Sequence, residues 1–243
     1  MDAAQAFTLA VLRVKDEAGL SDLLAEVCAQ LGCSWFALTH HVDFLAAPER
    51  GIRIHNYPPD WARWFDDNGL GTTDPIHRES HHRMAGFIWS DVPWRRRERP
   101  GDRQIFQRAR RHGIGNGLTV PAHLPGEAHG SVSFAWAPGQ AASVEALFFA
   151  TMISGPAFEA ARLLAFPELA LAPRLTDRQR ECLIWAANGK SAWESSHIIG
   201  LSRDTVKEHL RNARARYGVH DGMSLAIRAL FAGEISFGDF VRR

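Results

Sequence analysis

Apolar positions near the start of the chain follow helical spacing. Leu20, Leu23, Leu24, Val27 and Leu31 fall at i, i+3, i+4, i+7 and i+11, one face of an amphipathic helix that Gly32 can end. Residues 35–39 and 52–55 have the apolar content of short strands. Pro58 and Pro59 suit the first turn of a helix in which Trp61, Trp64 and Phe65 share a face. A further helix is predicted over about 102–112, closed by Gly113, where left-handed backbone costs little. The period then changes to two. Leu118, Val120 and Ala122 alternate with Thr119 and Pro121, and Val132, Phe134 and Trp136 alternate with Ser131, Ser133 and Ala135. Pro125, Gly126 and Glu127 between them supply turn chemistry, so an antiparallel hairpin is predicted. A long apolar helix follows from Ser143 to about Ala165, with Ser143 as its cap and Glu145 in its first turn; Gly155-Pro156 is expected to bend or interrupt it. Helices before and after a hairpin predict an α/β/α sandwich around an antiparallel sheet over residues 1–165.

Residues 166–174 hold two prolines and no periodicity and are read as a linker. Beyond it, over 175–243, the pattern is helical throughout, so the fold class is α+β with a separate all-α domain of four helices. Thr176 and Gln179 form a capping box for a helix that Gly189 stops, and Ser191 and Glu194 repeat the device for a second running to about Ile199. Gly200-Leu201-Ser202 is a tight turn, and Ser202 caps a third helix reaching Tyr217. A fourth spans about 223–232. The third helix has two incompatible faces. Val206, Leu210, Ala213 and Tyr217 must look inward, whereas Arg203, Lys207, Arg211 and Arg214 repeat the same spacing elsewhere. A helix and tight turn leading into a cationic helix is the arrangement that major-groove insertion requires, with long side chains reaching base edges and cations meeting phosphate.

Charge supports that division. The chain carries a net charge of +1, but residues 1–170 are net −3 and residues 171–243 net +4. Eight Trp and fourteen Phe exclude a disordered chain and must be buried or spent on a ligand. Three cysteines, Cys28, Cys33 and Cys182, without a CxxC pair or Cys/His cluster, suit a reducing cytoplasm and give no metal site. No basic leader and no run of eighteen apolar residues is found, so a cytoplasmic protein without a membrane partner is expected. The histidine pairs His40-His41 and His81-His82 lack a further ligand at metal spacing and are read as surface or loop residues. Arg95, Arg96, Arg97 and Arg99 are read as a solvated loop rather than a nucleic-acid patch.

Residues 175–219 resemble the DNA-binding domain of the LuxR family. Leu175, Thr176, Arg178, Leu183, Ala187, Gly189, Lys190, Glu194, Thr205, Val206 and His209 stand in register with that family's pattern. The resemblance implies that Lys207 and Arg211 read bases, with Thr205, Arg203 and Arg214 nearer phosphate. Two positions depart from it. Gln179 replaces a glutamate but can still complete its capping box. Ser195 stands where isoleucine is usual; if buried, it forgoes an apolar contribution of roughly 1.5–3 kcal/mol.

The resemblance extends upstream. The segments NYPPDWARWF, TTDPI, FIW and GIGNGLTVP are similar to the autoinducer-binding domain of acyl-homoserine-lactone receptors, and place Tyr57, Trp61, Asp74, Pro75, Trp89 and Gly117 at signature positions. Ser133 matches a pocket hydroxyl of some members, and Phe65 departs from a common tyrosine. An N-acyl-homoserine lactone offers an amide N–H that Asp74 can accept, a lactone carbonyl to which the Trp61 indole can donate, and an acyl carbonyl for Tyr57 and Ser133. Trp89 would wall the lactone end, and Gly117 would let backbone approach closely. The resemblance therefore implies a small-molecule effector rather than a cofactor, a homodimer, and an inverted-repeat DNA partner read by two copies of the recognition helix. A regulator that acts without ligand, or with a different one, is the nearer alternative. A lactone-degrading enzyme is the farther one, because no nucleophile has an assigned base and no metal cluster is evident.

Overall fold

The computed structural model describes residues 3–46, 51–94, 98–124, 127–166 and 174–240. The hairpin tip 124–127 aside, the chain divides into two compact units, Met1–His123 with Ala128–Pro167, and Glu168–Arg243. The predicted linker 166–174 falls, except for its two ends, outside the described residues, as do Arg95–97 of the basic run and Pro125-Gly126 of the predicted turn.

The first unit is built on one antiparallel sheet of five strands, β1 (Trp35–His40), β2 (Arg53–His55), β3 (Phe87–Ile88), β4 (Gly117–Ala122) and β5 (Gly130–Ala135), in the order β2-β1-β5-β4-β3. The predicted hairpin is present as β4 and β5, in a register that sets Thr119 opposite Ser133 and Pro121 opposite Ser131. Strand β1 lies on the other side of β5, pairing Ala37 with Ser133 and Thr39 with Ser131.

Alternation divides the sheet into two unlike faces. One carries Phe36, Leu38, Leu118, Val120, Val132 and Phe134, all buried, and shares one core with three helices: α2 (Glu17–Leu31) and α7 (Val144–Ala165), which pack on the sheet, and α1 (Ala3–Val11), which packs on those two helices. Asp16 caps α2 and Gly32 closes it in the left-handed region at φ 65°. Helix α7 runs through Gly155-Pro156 without interruption; of the two outcomes expected from sequence, a bend or an interruption, the second does not occur. Pro156 leaves the Met152 carbonyl without its helical donor, and Met152 is exposed, so water can meet that oxygen. By length and composition alone α7 could cross a membrane. Its Ala146, Ala150, Ile153, Ala157, Phe158 and Ala161 stripe is buried against the apolar core, which makes it the central helix of that layer.

The opposite face is polar where a core would be apolar. Thr119, Ser131 and Ser133 are all buried there. It is covered by α3 (Pro59–Asp67), α4 (Leu70–Thr73), α5 (Pro75–Ser80) and α6 (Asp102–Arg111), which enclose a second cluster containing Trp61, Ile76, Trp89, Ile105 and Ile114.

The second unit consists of α8 (Asp177–Ala187), α9 (Ala192–Ile199), α10 (Arg203–Tyr217) and α11 (Gly222–Phe231), followed by a short 3-10 turn at Phe237–Phe240. Both capping boxes form: Thr176 with Gln179, and Ser191 with Glu194. Leu175, Leu183, Ala213, Tyr217, Leu225, Ala229 and Ile235 make the core.

Candidate ligand cavity and nucleic-acid interface

The polar sheet face and its covering helices surround a cavity of about 90 Å³ lined by Tyr57, Trp61, Phe65, Asp74, Trp89 and Ser133. Two residues singled out from sequence do not line it. Pro75 is the first residue of α5, with Asp74 as its cap. Gly117 begins β4, and a Cβ there would lie 2.8 Å from the Trp89 ring and 2.7 Å from the Phe134 carbonyl oxygen. Gly117 therefore leaves the space in which Trp89 stands.

Each lining side chain is set by its element. Pro59 starts α3, and the helical repeat turns Trp61 and Phe65 to the same side, with ring centroids 5.9 Å apart. Asp74 ends α4 and caps α5. Its Oδ1 accepts from the Ile76 and His77 backbone N–H groups at 2.8 and 3.0 Å, and Oδ2 has no partner among the described residues. Burial raises the Asp74 carboxyl above its ordinary range, opposed by the neighbouring His77 and the two backbone donors. Burial, with Asp74 close by, also raises the Tyr57 phenol, which therefore stays a donor throughout the physiological range. On the sheet, the Trp89 Nε1 donates to Thr119 Oγ1 at 2.9 Å, and Thr119 Oγ1 lies 2.8 Å from Ser133 Oγ. With one lone pair engaged by the indole, Thr119 can donate to Ser133, and the Ser133 hydrogen is then free for the cavity.

Sequence reasoning did not single out several residues of this wall. Thr39, Arg53, His55, Asp66, His77 and Phe106 also line the cavity. Arg53 Nη1 meets Asp66 Oδ2 at 2.5 Å and closes one edge. Burial first and then Arg53 push His55 down to about 4. Thr119 does not line the cavity, but it was legible in principle, because it shares Ser133's side of the sheet and sits opposite it. His77 follows Asp74 by three residues, so the turn that Asp74 caps carries it to the same wall.

Of the histidine pairs read as surface or loop residues, His81-His82 lies in a turn with His82 exposed and His81 half-buried, whereas His40-His41 is not at the surface. His40 and His41 are buried at the end of β1, on opposite faces of the sheet. His41 lies against His77 and His81. A strand continuing beneath covering helices buries both members of an adjacent pair, which sequence spacing could not reveal. Among the described residues no group of three or more His, Cys, Asp or Glu side chains is arranged to hold a metal ion. All three cysteines are free.

In the second unit, α9, the turn at Gly200 and α10 form the helix-turn-helix. Gly200 takes the left-handed conformation at φ 69°, and the Ser202 side chain accepts from Thr205 N. Val206, Ala213 and Tyr217 are buried and Leu210 half-buried, whereas Arg203, Lys207 and Arg211 are exposed; Thr205 and Arg214 are half-exposed. Two of these cations have acidic neighbours on the helix: Lys207 Nζ lies 3.9 Å from Asp204 and Arg211 Nη2 lies 2.6 Å from Glu208. Ser195 is buried, and its hydroxyl finds no partner among the described residues.

Comparison with known proteins accords with both halves. Residues 16–161 match the autoinducer binding domain, and residues 173–229 match the bacterial regulatory proteins of the luxR family. The chain belongs to the LuxR family of transcription regulators that carry an autoinducer-binding domain and a helix-turn-helix domain. It is 26% identical to the transcriptional activator protein LuxR of Aliivibrio fischeri over 89% of this chain and 88% of that one. It is 33% identical to the transcriptional activator protein VanR of Vibrio anguillarum, over 74% and 76%. Among solved structures, SdiA of Escherichia coli aligns with a TM-score of 0.72 at 20% identity, covering 96% of this chain and 97% of that one. SdiA in complex with octanoyl-rac-glycerol aligns with a TM-score of 0.67 at 21% identity, over 94% and 93%.

Proposed function

We propose that this regulator binds an N-acyl-homoserine lactone in the cavity of its first unit and that occupancy controls binding of a homodimer to an inverted-repeat operator. The observation that carries this reading is the half-used carboxylate of Asp74. Its Oδ1 is committed to the backbone of α5, and Oδ2, on a buried side chain that lines an aromatic cavity and unbonded among the described residues, can take the donor that an acyl amide N–H supplies. Trp61 donates to the lactone carbonyl, and Tyr57 and Ser133 to the acyl carbonyl. Each such bond is worth about 1–3 kcal/mol where its partner would otherwise stay buried and unmet. Phe65 lies beside Trp61 and keeps that part of the wall apolar. The cavity of about 90 Å³ is small beside the ~300 Å³ that drug-sized ligands ordinarily occupy, so the signal enters while the covering helices pack, and stabilises them by mass action.

The dimer is supported by two unpaired apolar stripes. Val144, Phe148 and Met152 are exposed at i, i+4 and i+8 on α7, and Met223, Ile227 and Phe231 repeat that spacing on α11. Lys207 and Arg211 then read bases in each half-site, while Arg203, Thr205 and Arg214 hold phosphate.

A related amphiphile is the second reading. The octanoyl glycerol held by SdiA offers hydroxyls, which can also donate to a carboxylate. Native mass spectrometry of the chain expressed with a mixed panel of acyl-homoserine lactones tests both. A retained lactone mass, lost in Asp74→Asn with the fold intact, is expected, because asparagine can keep the cap while replacing the free acceptor by an amide donor. Retention of no lactone, or undiminished retention by Asp74→Asn, would refute the assignment.

A further inference from the structure

Five histidines from four parts of the first unit meet on the polar side of the sheet, beside the cavity. His41 follows β1, His77 lies in α5 and His81 just after it, His123 follows β4 and His129 precedes β5. His77 lines the cavity and stacks on His41 with centroids 3.8 Å apart and planes 9° from parallel. His81 also packs against His41, at 4.9 Å, and His129 and His123 follow, at centroid distances of 4.3 Å from His81 to His129 and 4.7 Å from His129 to His123. Accepting the receptor reading above, we infer that this stack is a proton sensor: it holds the signal-binding fold together while its rings are neutral and loosens it when acid charges them.

The hydrogen bonds are those of neutral rings. His41 Nδ1 and His81 Nε2 are 2.7 Å apart, so one carries a hydrogen and the other must offer a lone pair. Charging both would oppose two N–H donors at that distance and break the pair. His77 Nδ1 is 2.8 Å from the Gly71 carbonyl and therefore donates to it. His123 Nε2 likewise donates to the Ser80 carbonyl at 2.9 Å, which leaves its Nδ1 a bare acceptor, buried and without a partner among the described residues. Protonation of that atom would create a second buried donor with nothing to receive it. The other nitrogen of His41 meets the Ser131 hydroxyl at 2.9 Å.

Asp74, bonded only through Oδ1 among the described residues and neighbouring His77, favours a charge on the stack, whereas Glu79 and Asp102 are engaged by arginines. From α5 and the residues after it come Asp74, Arg78, Glu79, His82 and Arg83. Asp74 caps the helix, Arg78 is held by Asp102 at 2.7 Å, and Glu79 by Arg83 at 2.6 Å. The sheet adds Ser131, and across the cavity Arg53 and Asp66 engage each other. Burial, followed by the charges of the neighbouring histidines, lowers His41 well below its ordinary range and His81 to about 4. Burial and His123 and His82 lower His129 as well.

The sign follows from linkage. A histidine in the unfolded chain takes up its proton near pH 6.5, and one held below that value in the fold does not, so the folded state is favoured less and less as pH falls from about 6.5. Each such ring costs up to about tenfold in the folding equilibrium per pH unit. Asp74 acts oppositely, since a carboxyl raised in the folded state favours folding in acid. The histidines, several against one, set the net direction.

The test is urea unfolding of the purified full chain without added signal, followed through tryptophan fluorescence between pH 8 and 5, in wild type, His81→Gln with His129→Gln together, and His129→Gln alone. Neither residue lines the cavity. The wild type is expected to lose stability steeply below pH 6.5, the double variant to lose it less steeply by up to tenfold per pH unit for each ring removed, and His129→Gln to fall between. Identical acid profiles in all three would overturn the inference, as would a transition metal retained stoichiometrically by the wild type and lost from the double variant. Retention of a lactone from the mixed panel at pH 7.5 is measured alongside. If no lactone is retained but the acid profiles separate as stated, the receptor reading fails and the proton sensor stands.

Discussion

Ser195 offers a measurement in which a stabilising substitution is expected at a buried site. It is 1% exposed on α9, and its Oγ has no hydrogen-bond partner among the described residues. A buried hydroxyl that gives up water and gains nothing costs about 1–3 kcal/mol. Alanine removes the hydroxyl without adding volume, and in a helix it is favoured over serine by a few tenths of a kcal/mol. Ser195→Ala is therefore expected to stabilise the second unit by about 1–2 kcal/mol. In a unit of this size each kcal/mol moves the midpoint by about 4–8 °C. The adjacent Ser196 is the internal control. It is also buried, but its hydroxyl donates to the Trp193 carbonyl at 2.6 Å, so Ser196→Ala loses a bond and is expected to stabilise nothing. Hydrogen exchange of the full chain, followed in peptides from residues 177–217, keeps the two units separate in the readout. Slower exchange in Ser195→Ala and unchanged or faster exchange in Ser196→Ala is the expected pattern; equal behaviour of the two variants would refute the reasoning.

Two further perturbations act on the two sites. Gly117→Ala places a Cβ 2.8 Å from the Trp89 ring, and the crowding is expected to cost about 1–3 kcal/mol in the urea midpoint and to weaken signal retention, whereas an unchanged midpoint would mean that Trp89 can shift freely. Lys207→Ala and Arg211→Ala are each expected to weaken operator binding by about 1–3 kcal/mol and to relax base preference, while Arg203→Ala and Arg214→Ala reduce the salt slope by about one with little change in preference; titration against operator variants at several salt concentrations distinguishes them, and uniform losses from all four would remove Lys207 and Arg211 from base reading.

Much of the fold was written in local pattern. The hairpin β4–β5, the amphipathic α2 with its Gly32 stop, and both capping boxes of the second unit follow from periodicity and cap chemistry that neighbours cannot easily override. What escaped was short or tertiary. Helices α4 and α5 have four and six residues, too few for a period to declare itself, and β3 has two. Pro156 would interrupt an isolated helix, but packing of the Ala150–Ile153–Ala157 stripe on the sheet carries α7 through it. The cavity was half legible. Tyr57, Trp61, Phe65, Asp74, Trp89 and Ser133 converge, whereas His77 and Arg53 enter its wall only because the chain brings α5 and β2 to the same place. The histidine stack was invisible for the same reason, since its members come from positions separated by up to 88 residues, His41 to His129.

The acidic neighbours on α10 bear on how a regulator searches a chromosome. Asp204 and Glu208 sit beside the cations Lys207 and Arg211, so a random stretch of duplex meets attraction and repulsion together and is held weakly. If Lys207 and Arg211 read bases as proposed, only a groove whose base edges draw them away from their carboxylates recovers the cost, which would trade strength of grip for fidelity of address.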